Sequence, residues 1–117
     1  MLFRSLKEGL GEGSWGCNLL HSPTDPALEA AHAETILRHG VARVEASAYL
    51  DVTLPLVKYR LAGLRADNLG RPLAACQIIA KVSRVEVARK FLSPPPARLV
   101  GELLNTGFIT EIGRAHV

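Results

Sequence analysis

Two polar side chains stand inside otherwise apolar stretches of this chain, an amide at Asn18 within Gly16–His21 and an ammonium at Lys81 within Cys76–Val82. A buried amide or ammonium without a partner is costly, so each must find one in the fold or in a ligand. Asn18 can hydrogen-bond a planar heterocycle through both amide atoms, and Lys81 can bring positive charge to an anionic ring or a phosphate. The structural alternatives are an Asn18 amide that ties neighbouring strand ends together and a Lys81–Glu45 ion pair across adjacent strands. His21 stands where the first apolar stretch ends, as a turn hydrogen-bonder or a ligand contact. Ser47 and Ser83 have no nearby His–Asp arrangement, which argues against a nucleophilic serine and leaves both as binding hydroxyls.

The remaining reactive side chains carry less. His32 and His39 are seven residues apart on one helical pattern with no third ligand, so they read as surface positions and no metal site is expected. Glu29 and Glu34 read as solvated helix charges. Cys17 and Cys76 lie in apolar segments and form no Cys-x-x-Cys pair, the setting of buried reduced thiols. Gly9-Leu10-Gly11-Glu12-Gly13 precedes a strand, whereas a phosphate-binding glycine loop follows one and opens a helix, so Rossmann-type dinucleotide binding is not supported.

The elements that position these groups alternate. Three short apolar stretches, 16–21, 42–48 and 76–82, are interleaved with helical patterns, which predicts parallel strand-helix units. The first and third stretches are nearly continuous in apolarity, as expected of strands covered on both faces. Asp25 and Pro26 open a helix that runs to about His39, with Gly40 as its left-handed stop. Thr53 caps the next, whose Leu54, Val57, Leu61 and Leu64 share a face. Asp67-Asn68-Leu69-Gly70-Arg71-Pro72 forms a polar turn, and Ser83 caps a short helix to about Leu92 that Ser93-Pro94-Pro95-Pro96 breaks. A last helix with Leu99, Val100, Leu103 and Leu104 as its stripe ends at Gly107. In such folds ligands sit at the carboxyl ends of the strands, so the windows to watch are 18–22, 45–49 and 81–84.

The 117 residues are 48% hydrophobic and 21% charged, the composition of one globular unit with a modest core. No apolar run approaches the roughly 20 residues of a membrane span, and the reading is cytoplasmic. The net charge of +3 is dispersed, with 5% aromatic residues and no basic stripe, so nucleic acid is not an expected partner. Met1-Leu2-Phe3-Arg4-Ser5 and Glu111-Ile112-Gly113-Arg114-Ala115-His116-Val117 can be written in codons that resemble opposite strands of one sequencing-library adapter. Residues 1–5 and 111–117 are therefore expected to be adapter-derived, leaving 6–110 as the domain segment.

Four ordered segments carry a family resemblance: Trp15-Gly16-Cys17-Asn18-Leu19-Leu20-His21-Ser22-Pro23, Val44-Glu45-Ala46-Ser47-Ala48-Tyr49-Leu50, Leu56-Val57-Lys58-Tyr59-Arg60-Leu61-Ala62-Gly63-Leu64 and Ile79-Ala80-Lys81-Val82-Ser83-Arg84. Together with Phe91-Leu92-Ser93-Pro94-Pro95-Pro96 they resemble the PfaD-type enoyl reductases, which are similar to nitronate monooxygenases and to the flavin enoyl reductase FabK. The resemblance covers essentially all of 6–110. It implies an α/β fold, part of a TIM (β/α)₈ barrel with about three parallel strand-helix units and an extra C-terminal helix. It further implies FMN, reduced by NADPH or NADH, and an enoyl thioester on an acyl carrier protein of a polyunsaturated fatty-acid or polyketide synthase.

The same resemblance carries two residues over as cofactor contacts. Asn18 matches the family's Gly-x-Asn strand facing the flavin, and Lys81 its strand-end lysine; His21, Ser47 and Ser83 are further candidates. The family's Gly-Gly-His strand, which resembles the nitronate monooxygenase catalytic site, is not in this sequence, so no catalytic residue is assigned here and the chain by itself is expected to be inactive. A barrel of this type needs about 250 residues. Nitronate monooxygenase is the neighbouring enzymatic alternative, and a non-catalytic α/β interaction module is the alternative from another class.

Overall fold

In the computed structural model the described residues are Gly9 and 15–109. The adapter-like ends, 1–5 and 111–117, lie outside them. Strand β1 (Cys17–Leu20) leads through helix α1 (Pro26–Arg38) to β2 (Arg43–Ser47), and helix α2 (Leu54–Leu61) follows. A small hairpin, β3 (Arg65–Ala66) and β4 (Pro72–Leu73), precedes β5 (Gln77–Ala80). Helices α3 (Val85–Leu92) and α4 (Ala97–Asn105) complete the order. The sheet is parallel in the order β1-β2-β5, with Asn18 beside Glu45 and Glu45 beside Ile79.

Local chemistry sets most boundaries. Asp25 caps α1 by accepting the Leu28 N–H at 3.1 Å, with Pro26 in the first turn, and Gly40 ends the passage to β2 at φ +65°. Gly16 is required by proximity: a Cβ there would lie 2.6 Å from the Arg43 carbonyl oxygen, where β1 runs against β2. Ala48, just past β2, takes φ +65° without being glycine, which places strain at a strand exit.

One face of the sheet carries the core. Leu19, Val44 and Ala46 pack against Ala33 and Ile36 of α1 and against Leu56 and Tyr59 of α2. Tyr59 is 0% exposed and donates its hydroxyl to the Val41 carbonyl at 2.7 Å, so its polar end is satisfied inside the core. Helix α2 has a second buried face, on which Val57 and Leu61 meet Leu99 and Leu103 of α4. The expected Leu54–Leu64 stripe is this second face, and Leu56 and Tyr59 form the one that meets the sheet.

The opposite face of the sheet is open among the described residues: Leu20 is 49% exposed and Ile79 64%. The expectation of strands covered on both faces is thus met on one face only, because all the helices that pack on the sheet share a side. Ser83 does not cap α3; Arg84 holds that position and makes no side-chain cap bond. Thr53 does occupy the cap position of α2 but sends its hydroxyl elsewhere, to Glu29. The polar turn at 67–72 closes a hairpin that period-2 reading could not reveal, each strand being two residues long. Asp67 holds it, accepting the Leu69 and Arg71 N–H groups at 2.9 Å and the Arg71 Nε–H at 2.8 Å.

Candidate functional site at the strand ends

The open face gathers polar groups where the chain leaves the sheet. Because side chains alternate along a strand, Asn18, Leu20, Glu45, Ser47 and Ile79 point to this face while Leu19, Val44 and Ala46 point to the helices. Register continues past the last paired residues: the Lys81 N–H donates to the Ala46 carbonyl at 3.0 Å, which sets Lys81 beside Ser47. Asn18, Ser47 and Lys81 are therefore brought to one surface from three strands.

Their bonding is specific. The Ser47 hydroxyl donates to Asn18 Oδ1 at 2.9 Å, with Glu45 Oε1 a more distant alternative at 3.4 Å. Asn18 so ties β1 to the end of β2, close to the structural alternative, while its NH₂ group keeps both donors for a ligand. Lys81 is exposed and does not form the ion pair with Glu45 that its sequence position allowed; no such pair occurs among the described residues. The arrangement offers donors and positive charge, suited to an acceptor-rich or anionic group. A depression of about 400 Å³ lined by Trp15, Cys17, Asn18, Arg43, Glu45 and Ile79 adjoins it. A larger cavity of about 710 Å³, between α2, β5 and α3, is lined mainly by apolar side chains such as Val57, Leu61, Phe91 and Pro94 and lies away from these groups.

His21 is not part of this surface. Ser83 is exposed beyond β5. His21 turns to the helix side, where its Nδ1 makes a short contact with Glu29 Oε1 and its ring stacks on Tyr49 at 4.9 Å between centroids. Glu29 is 2% exposed, which corrects its reading as a solvated helix charge. Its desolvation is offset by donors: His21 and the Ser22 N–H on Oε1, and the Thr53 hydroxyl on Oε2 at 2.6 Å. The position also lies in the first turn of α1, where the helix dipole favours negative charge. One signal in the sequence could have found it, since Glu29, Ala33 and Ile36 fall at i, i+4 and i+7 on the buried face of α1.

Tyr49 completes this cluster, its ring edge-on to Phe91 at 6.3 Å and its hydroxyl buried with no hydrogen-bond partner among the described residues. Burial, and then the charge of Glu29, push that phenol well above its ordinary value, against a weaker opposing pull from the Thr53 hydroxyl, which makes no hydrogen bond to it. Burial likewise raises both thiols, Cys17 and Cys76, which are free and poor nucleophiles. Among the described residues no cluster of His, Cys, Asp or Glu could hold a metal ion, and no helix is long and apolar enough to cross a membrane.

Known proteins resemble this chain along nearly its whole length. It is 40% identical over 106 residues to a component of the polyunsaturated fatty acid synthase of Thraustochytrium, and 41% identical over 102 residues to the polyketide biosynthesis protein PksE of Bacillus subtilis. It is 40% identical over 109 residues to the polyketide biosynthesis protein ThaF of Burkholderia thailandensis. These matches take in 91%, 86% and 92% of the chain, which spans only 7%, 13% and 9% of those relatives. Among solved structures, the enoyl reductase domain of MlnA from the macrolactin cluster of Bacillus amyloliquefaciens superposes with a TM-score of 0.91 at 36% identity. That likeness covers 97% of this chain and 26% of the other. No family profile matches the chain. These relatives bear out the resemblance to PfaD-type enoyl reductases.

Proposed function

We propose that this chain, a PfaD-type enoyl reductase sequence by its relatives, contributes cofactor-facing strands of an FMN-dependent reductase that acts in trans on enoyl thioesters. The thioester is carried on an acyl carrier protein of a polyunsaturated fatty-acid or polyketide synthase, and NADPH or NADH is the reductant. The observation that carries the reading is the strand register, which sets Asn18 and Lys81 on the same open side of the sheet.

On this reading β1, β2 and β5 are three of the eight strands of a (β/α)₈ barrel, and the open face turns inward. Residues 6–110 are the barrel segment, and a chain spanning so little of its relatives is inactive alone. The residues fit a flavin: Asn18 offers two N–H donors to an acceptor edge, and Lys81 a positive charge with no ion-pair partner among the described residues. When bound, FMN supplies hydride transfer between the nicotinamide and the enoyl thioester. Asn18 binds and orients, Ser47 holds its amide, and Lys81 favours negative charge nearby. The same reading puts the protein in the cytoplasm with the other synthase components.

The complete gene product should purify yellow, release FMN on denaturation and consume NADPH or NADH when given an enoyl-loaded carrier protein. Lys81→Met should slow reduction of the flavin more than it alters thermal unfolding. A colourless protein that leaves the thioester unreduced overturns the proposal.

A further inference from the structure

A continuous set of contacts joins the buried carboxylate of Glu29 to the amide of Asn18 across the sheet. Glu29 Oε1 receives His21 Nδ1–H and, at 3.4 Å, the Ser22 N–H, which fixes the loop leaving β1. The His21 backbone N–H donates to the Ser47 carbonyl at 3.1 Å, and the Ser47 hydroxyl donates to Asn18 Oδ1 at 2.9 Å. Glu29 Oε2 receives the Thr53 hydroxyl at 2.6 Å, which pins the start of α2 to the same carboxylate. One buried anion therefore holds the loop leaving β1 and the segment that follows β2, and both flank Ser47.

We infer that Glu29 is a positioning residue, which acts through His21 and Ser47 to set the direction in which Asn18 presents its NH₂ group. None of its hydrogen bonds among the described residues reaches the open face, and its control is geometric. With Oε1 occupied by His21 and Ser22, the β1 exit has one position relative to Ser47. With Oδ1 of Asn18 occupied by Ser47, the amide has one orientation, donors outward. A purely stabilising carboxylate would leave that amide unaffected when its donors were changed. The further expectation that Glu29 governs flavin affinity rests on the function proposed above, whereas the geometric link to Asn18 does not.

The test uses the complete gene product, with the side-chain NH₂ signals of Asn18 assigned by nuclear magnetic resonance. Glu29→Gln should shift those signals in protein without flavin. Glu34→Gln should not, although Glu34 lies on the same helix, because its carboxylate meets Lys58 at the surface. If Glu29→Gln does not fold, His21→Leu is read in the same way, since it removes the side-chain donor on Oε1 while keeping the backbone N–H that reaches Ser47. With FMN added, Glu29→Gln should weaken binding about tenfold, the scale of one lost hydrogen bond. The double variant with Ser47→Ala should be no weaker than Ser47→Ala alone. Unmoved Asn18 signals in the folded variants, or losses of flavin affinity that simply add, overturn the inference. If the unmodified protein binds no FMN, the proposed function falls, and the Asn18 signals still decide the positioning role.

Discussion

Thr53, at the cap position of α2, donates its hydroxyl to Glu29 of α1 at 2.6 Å, across 24 residues of sequence. The hydroxyl makes no cap bond, so its removal reports on the buried cluster around Glu29 and not on the helix end. Thr53→Val keeps the shape and deletes the donor, and should lower stability by about 2 kcal/mol, while Thr53→Ser should restore most of it. Urea unfolding of the three proteins measures this; equal midpoints would mean that the carboxylate has no need of the hydroxyl.

Tyr49 should behave in the opposite way. Its hydroxyl is buried and lacks a partner among the described residues, so Tyr49→Phe removes an unsatisfied group while keeping the stack on His21 and the edge contact with Phe91. The variant should be as stable as the parent or more so, by up to about 1 kcal/mol. A clear loss would reveal a bond to that oxygen from elsewhere in the molecule.

Two glycines should respond in opposite directions to the same added methyl group. At Gly16 a Cβ would meet the Arg43 carbonyl at 2.6 Å, and backbone cannot step aside cheaply, so Gly16→Ala should cost about 1–3 kcal/mol and disturb the β1–β2 pairing. Gly101 lies inside α4 with nothing within 4 Å of the added atom, so Gly101→Ala should stabilise by about 1 kcal/mol. Thermal midpoints that move the same way in both variants would contradict the pairing of causes.

The Arg71 backbone N–H, aided by the Arg71 side chain and the Leu69 N–H, holds the Asp67 carboxyl below its ordinary value. A depressed carboxyl contributes stability that is present above its unfolded-state pKa, about 4, and is lost as pH falls through the lower folded value. The β3–β4 hairpin should therefore loosen in acid. Protection of the Leu69 and Arg71 amides against hydrogen exchange should fall there, and in Asp67→Asn it should be low throughout. Protection that persists in acid in the parent protein would assign the turn's stability to Gly70 and the backbone instead.

Much of this fold could be read without coordinates, for reasons that are local. Asp25, Pro26 and Gly40 bound α1 because a cap, a pre-set φ and a left-handed stop act within one turn of chain. The alternation of apolar stretches with helical patterns predicted parallel units, and β1, β2 and β5 are neighbours in one parallel sheet. Asn18 and Lys81 stood out because a polar group in an apolar stretch is costly wherever the strand lies. What only the tertiary structure decided depends on contacts between distant segments. Period 2 divides a strand into two faces without saying which one helices cover, so Leu20 and Ile79 proved exposed where burial was expected. Ser47 meets Asn18 across 29 residues, Thr53 turns from its own helix end to another helix, and His21 leaves the open face for Glu29. Glu29 is buried because His21, Ser22 and Thr53 reach it with donors from two separate segments, and no local pattern encodes that meeting. Short-range hydrogen bonding determined the elements; long-range packing determined which side chains became a site.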